Sequence, residues 1–161
     1  MIATLTPELR FEVADLYADY AECLDEQRFA DWPDFFTEDC VYKIIPRENF
    51  ERGLPLCTVW AESRGMLKDR VTGITETMMY MPRTCRHIVS APRIHALGAD
   101  GSIGVRANYL VVQILADEPA RVFQVGRYLD TLVRSDGVLR FREKLCVFDD
   151  VLIDNSLIYP V

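Results

Sequence analysis

The chain has 161 residues, half of them hydrophobic and 27% charged, which suits a single globular domain over residues 1–161. Its 18 Lys+Arg against 25 Asp+Glu leave a net charge of −7, which argues against a nucleic-acid or anionic-membrane binder, since either would need a basic face. Only two histidines are present, His87 and His95, so chemistry that needs three or more imidazoles on one chain is excluded.

The first predicted element is a helix. Thr6 is placed to cap it, Pro7 suits the first helical position and Glu8 suits the first turn. Leu9, Val13, Leu16, Tyr17, Tyr20 and Leu24 then recur at three- and four-residue steps as one apolar stripe, with Glu12, Asp15, Asp19 and Glu22 opposite. A short helix is expected at Asp31-Trp32-Pro33-Asp34-Phe35-Phe36, with Asp31 as its cap and its aromatics plugging one end of the core. Residues 40–45 read as a strand ended by Pro46, residues 47–60 as a long ordered loop, and residues 61–72 as a helix burying Met66, Leu67 and Val71.

Beyond Pro82 the pattern turns to strands. Residues 86–97 read as one strand interrupted by Pro92, which implies an edge or a bulge. Ala99-Asp100-Gly101 supplies a turn. Ile103, Val105, Ala107, Tyr109 and Val111 alternate with Gly104, Arg106 and Asn108 in a half-buried strand. Residues 122–133 form another strand, and Ser135-Asp136-Gly137 signals a hairpin. After it, Leu139, Phe141, Leu145 and Val147 alternate with Arg140, Arg142, Lys144 and Cys146. Helices followed by a run of long antiparallel strands give an α+β fold with a curved sheet around the helices.

Chemical motifs are scarce. The five cysteines are widely spaced, with no Cys-x-x-Cys pair, and read as reduced, mostly buried thiols of a cytoplasmic protein. Residues 1–8 lack the basic and apolar regions of an export signal, and no apolar run is long enough to span a membrane. His87 and His95 lack zinc-type companions, and there is neither a phosphate-binding glycine loop nor a Gly-x-Ser-x-Gly elbow. Acid–base work by His87, with Asp25, Tyr17 or Tyr20 beside it, is the one catalytic option. The bland reading is an Arg/Asp/His network, with Asp69-Arg70 near Arg86 and His87, tying a helix to the sheet.

Surface composition points to partners. Fifteen of the basic residues are Arg, the type enriched at protein interfaces. Arg47, Glu48 and Phe50 form a mixed charged–aromatic loop suited to subunit contact, and Arg86 and Tyr159 join them as candidates. The segment Asn155-Ser156-Leu157-Ile158-Tyr159-Pro160-Val161 is apolar and expected to be pinned, on its own core or on a neighbour.

Several segments together carry a family resemblance. Tyr17-x-x-Tyr20-Ala21, Trp32-Pro33-Asp34-Phe35-Phe36-Thr37-Glu38-Asp39-Cys40-x-Tyr42, Met66-Leu67-x-Asp69-Arg70-Val71, Arg86-His87-Ile88, Gly126-Arg127-Tyr128-Leu129-Asp130 and Leu145-Cys146-Val147-x-Asp149 resemble the small (beta) subunits of Rieske-type aromatic-ring-hydroxylating oxygenases. Residues 46–57 and the final Asn155-Ser156-Leu157-Ile158-Tyr159-Pro160 are most similar to small subunits of the salicylate 5-hydroxylase type, and terephthalate dioxygenase small subunits are similar at greater distance. The resemblance implies a cone-shaped, nuclear-transport-factor-like fold with helices in the concavity of a curved antiparallel sheet. It further implies a hetero-hexamer of three small and three large (alpha) chains. The large chain would carry the Rieske [2Fe–2S] cluster, the mononuclear Fe(II) and the substrate pocket. Ferredoxin and a reductase would bring electrons from NAD(P)H for reaction with O2. Under this reading the chain itself supplies no catalytic, cofactor-binding or metal-binding residue. The competing expectation is a stand-alone cone-fold dehydratase or isomerase using His87, to be told apart by whether the cone holds an open polar pocket or packed apolar side chains.

Overall fold

The computed structural model describes residues 5–153 and 157–161. Expectations that fall on residues 1–4, or on Asn155 and Ser156, lie outside the described residues.

Helix α1 covers Pro7–Asp25, and the Thr6 side chain accepts the Leu9 N–H at 3.2 Å, as the sequence predicts. Its buried face is Leu9, Val13, Tyr17, Tyr20, Cys23 and Leu24. A 3-10 turn over Trp32–Phe35 follows, but Asp31 caps nothing with its side chain and instead faces Arg28. Strand β1 spans Phe36–Pro46, beginning four residues before the expected start because Phe36 is already paired to the sheet.

The segment expected as loop contains two elements. Arg47–Glu51 is a short helix, α2, supported by an Arg52–Glu48 ion pair at 2.8 Å, and Val59–Ala61 is a strand, β2, antiparallel to β1. Both are too short to show a period in sequence. Helix α3, Arg64–Glu76, starts later than expected because Val59–Ala61 belongs to the sheet and Ser63 takes the cap, accepting from Met66 N. Leu67 and Ile74 are its buried residues, whereas Met66 is exposed and its sulfur accepts the Glu62 N–H.

Residues 86–97 split into β3, Arg83–Val89, and β4, Arg93–Leu97, both antiparallel to β5, Ile103–Leu115. Pro92 lies in the break between them, which agrees with its lost ladder donor. Strand β6, Arg121–Ser135, and β7, Val138–Phe148, form the predicted hairpin, with Asp136 and Gly137 at φ 51° and 81° as a type I′ turn requires. Strand order is β2-β1-β7-β6-β5-β3, with β4 also on β5. The sheet is antiparallel except where β1 runs parallel to β7.

Strand β7 departs from simple alternation. Thr131 pairs with Glu143 but Leu132 pairs with Phe141, so one residue, Arg142, is extra on β7. A single extra residue exchanges the two faces of everything after it. Leu139 and Phe141 point inward before the bulge; Lys144, Cys146 and Phe148 point inward after it, and Lys144 is fully buried. The alternation read from the sequence is thus broken at Arg142, and the bulge is what turns Lys144 to the interior.

The concavity is filled with aromatic rings. Tyr17, Tyr20, Trp32, Phe36, Tyr42, Tyr128 and Phe141 are each at most 2% exposed and meet mostly edge to face at centroid distances of 5–6 Å. Among the described residues no helix is long and apolar enough to cross a membrane.

Candidate functional site

His87 sits on the inner face of β3, paired with Val111 of β5, beside the C-terminal end of α1. Asp25, the last residue of that helix, accepts the His87 backbone N–H at 3.0 and 3.2 Å through its two oxygens and lies 2.7 Å from the ring Nδ1. Arg86 reaches the same carboxylate at 3.9 Å and the Asp25 carbonyl at 3.5 Å. The other ring nitrogen, Nε2, is buried and has no partner among the described residues. His87 lines a cleft of about 220 Å³ whose other walls include Ala14, Tyr17, Ala18, Ala21 and Pro92.

The dyad is the one the sequence anticipated, and Tyr17 shares its cleft. The hydroxyls that an acid–base mechanism would recruit are committed elsewhere, however. Tyr17 donates to Asp130, and Tyr20 donates to the Val161 carbonyl at 2.8 Å. Asp69-Arg70 does not join this network: Arg70 donates to the carbonyls of Ile158 at 3.1 Å and Leu157 at 3.4 Å, tying α3 to the final segment. Arg86, Asp25 and His87 together bolt α1 to β3.

A second polar centre escaped the sequence. Lys144 and Asp130 are opposite one another on β7 and β6, both at 0% side-chain exposure, with Nζ 3.0 Å from Oδ2. Tyr17 donates to the same oxygen and the Leu145 N–H to the other, at 3.2 Å. The ammonium lies 3.4 Å from the Tyr128 ring centroid, 4.4 Å from Phe141 and 4.5 Å from Tyr20, so the cation is caged by aromatic faces. Burial pushes the Asp130 carboxyl up, against the opposing pull of the Lys144 charge and the hydrogen bonds from Tyr17, Lys144 and Leu145. One clue was available: Lys144 is one of only three lysines, and it stands in a strand rich in apolar residues.

The candidate contact residues divide. Arg47 pairs with Asp149, Glu48 with Arg52, and Phe50 is half-buried; all three lie on α2, which packs against β1 and β7. Arg86 is exposed. Tyr159 is buried, its ring 4.7 Å from that of Phe29. The final segment is pinned on its own core: Val161 is 1% exposed, its carbonyl accepts from Tyr20 and Tyr42, and its N–H donates to the Tyr42 hydroxyl at 3.1 Å.

Among the described residues the donor set does not fit an iron centre. His87 faces inward, while the His95 ring lies across Gly104 on the outer face, so the two imidazoles diverge. Burial pushes the thiols up, Cys146 to about 12 and Cys23, Cys40 and Cys85 to about 11, far from the thiolate form that binds metal. Among the described residues no three His, Cys, Asp or Glu side chains are grouped to hold an ion.

Residues 6–144 match the model of the SnoaL-like domain family. The chain is 37% identical to the anthranilate 1,2-dioxygenase small subunit of Burkholderia cepacia, over 98% of each protein. It is 33% identical to the subunit beta 1 of the terminal oxygenase component of terephthalate 1,2-dioxygenase from Comamonas sp., over 93% of this chain and 97% of that one. Among solved structures, a chain from Novosphingobium aromaticivorans assigned as the beta subunit of an aromatic-ring-hydroxylating dioxygenase superposes with a TM-score of 0.87 at 31% identity, covering 96% and 97% of the two chains.

Proposed function

Because this chain belongs to the SnoaL-like family and, within it, to the small subunits of aromatic-ring dioxygenases, we propose that it is the structural subunit of such an oxygenase and carries no reaction centre of its own. The observation that carries this reading is the packed aromatic interior: the space where a cone-fold enzyme would hold substrate is taken by Tyr17, Tyr20, Trp32, Phe36, Tyr42, Tyr128 and Phe141. The dehydratase or isomerase reading is not favoured, since His87 opens onto an alanine-walled cleft and neighbouring hydroxyls are already bonded.

The partner is a large oxygenase subunit, in a hetero-hexamer of three small and three large chains. That partner holds the Rieske [2Fe–2S] cluster and the mononuclear Fe(II), and is served by ferredoxin and an NAD(P)H-dependent reductase. The substrate is an aromatic carboxylic acid such as salicylate; anthranilate and terephthalate in the names of the relatives are of that chemical class. The five free thiols suit the cytoplasm. Arg47, Glu48, Phe50 and Arg86 offer contact from the surface, and Tyr159 contributes from within by fixing the final segment.

Co-expression with the neighbouring large chain tests this. A complex is expected in which iron and the cluster spectrum follow the large chain alone. A small chain that never co-elutes with an iron–sulfur protein would overturn the reading.

A further inference from the structure

The outer face of the sheet carries an unbalanced basic furrow. Arg93 of β4 and Arg106 of β5 are direct cross-strand partners, so two guanidinium groups stand opposite each other where like charges are unfavourable. Both are exposed, and among the described residues neither has a carboxylate within ion-pairing distance. Two depressions of about 290 Å³ each adjoin at this pair, one continuing to Ile94 and His95, the other to Asn108, Arg127 and Leu129. The register explains the alignment, because Arg106 is opposite Leu129 and Asn108 is opposite Arg127 across β5 and β6.

Arg127 completes the furrow. Its Nε is buried without a partner, and its only ion pair among the described residues is a long one, 3.6 Å to Glu51. The Arg93, Arg106 and Arg127 side chains thus converge with spare donors on a molecule whose net charge is −7. Among the described residues no carboxylate lines either depression. Guanidinium forks are suited to paired bonds with planar carboxylates.

We propose that this furrow is a docking site for an acidic segment of a partner protein, and that in the assembled oxygenase the segment comes from the large subunit. The inference rests on the small-subunit reading for the identity of the partner. It adjoins the α2 surface, since Arg127 reaches Glu51 at the end of α2, but most of its lining belongs to the β4–β5–β6 part of the sheet. Carboxylates from the partner would neutralise the Arg93–Arg106 repulsion and occupy the Arg127 donors, so the sheet gains on assembly what it lacks alone.

The experiment is co-expression of the full chain with its large subunit, comparing wild type, Arg93→Glu/Arg106→Glu and Arg93→Lys/Arg106→Lys. Reversal keeps a like-charged pair, so the isolated variant should melt close to wild type; a melt of each chain alone verifies this, and Arg93→Ser/Arg106→Ser replaces the reversal if it does not fold. Complex yield should drop about tenfold or more on reversal, the equivalent of ~1.4 kcal/mol or more, while the lysine pair keeps most of it. Wild-type complex should weaken with added salt, and the residual complex of the reversed variant should respond much less. Equal assembly of wild type and the reversed variant, with the same salt response, overturns the furrow and leaves the subunit reading standing. A wild-type chain that binds no large subunit defeats that reading, and the partner named here goes with it.

Discussion

Lys144→Met would leave the Asp130 carboxylate alone in a site with 0% side-chain exposure, facing Tyr17 and the Leu145 N–H but no cation. Breaking a buried ion pair from one side costs ~3–5 kcal/mol, because the surviving charge keeps its desolvation cost and loses its compensation. For a domain near this size that corresponds to a melting-point drop of roughly 6–20 °C. Asp130→Asn should cost a similar amount by stranding the ammonium among its aromatic rings. The double variant should not cost the sum. The amide introduced by Asp130→Asn can accept the Leu145 N–H with its oxygen and donate to the Tyr17 oxygen with its nitrogen, so no buried charge is stranded and the Tyr17 O–H is the group that loses its acceptor. Urea unfolding followed by circular dichroism, with unchanged m-values, would measure the cycle. The coupling should amount to several kcal/mol. Additivity of the two single variants to within about 0.5 kcal/mol would refute the reasoning. The pH response gives a second check. The Asp130 carboxyl is raised by burial, so its contribution is fully present below the unfolded value and is lost as pH rises through the folded one. Without Lys144 it rises further, and Lys144→Met should regain stability on mild acidification.

Tyr17, Tyr20, Tyr42 and Tyr128 are all held well above the ordinary phenol value of 10 by burial, so their contribution is intact below that value and lost as pH rises through the folded ones. The phenolate absorbance of these four residues should therefore appear together with loss of circular dichroism in an alkaline titration, and ionisation of all seven tyrosines in the folded chain would contradict the packing. Deleting residues 157–161 removes the acceptor of Tyr20 and Tyr42 and the ring beside Phe29. At ~1–3 kcal/mol for each orphaned hydroxyl plus the lost apolar burial, the isolated chain should lose at least about 4 kcal/mol, measurable as a thermal shift without any partner. His87→Ala cuts the bolt between α1 and β3 and should lower stability by ~1.5–3 kcal/mol while iron per large chain stays constant. Loss of turnover in a fully assembled, iron-loaded complex would instead assign His87 a chemical part.

Local signals carried the elements whose causes are local. Thr6 and Pro7 open α1 and the Leu9–Leu24 stripe buries it; Asp136-Gly137 turns the last hairpin. Features decided across strands were not legible. Whether Lys144 points in or out depends on one extra residue, Arg142, which alters no composition and no propensity. Strand β2 is held by β1, and helix α2 by β1, β7 and ion pairs to Asp149 and Arg127, so their own residues announce little. The His87–Asp25 pair was within reach because one histidine near one helix end left few combinations. The Arg93–Arg106 furrow was not, since it exists only through β4–β5 register.

The parallel pairing of β1 with β7 has a consequence for how the chain is made. Phe36 waits for Phe141, about a hundred residues later, and the three-residue β2 is the only other strand on β1 among the described residues. Until β7 has been synthesised, Cys40, Tyr42 and Ile44 have no sheet to close over them, and α1 has no finished concavity to enter. The first half of the protein cannot be a folding unit. A ribosome-bound or truncated chain lacking β7 would present an open, apolar strand edge, the kind of surface that chaperones hold and that otherwise aggregates.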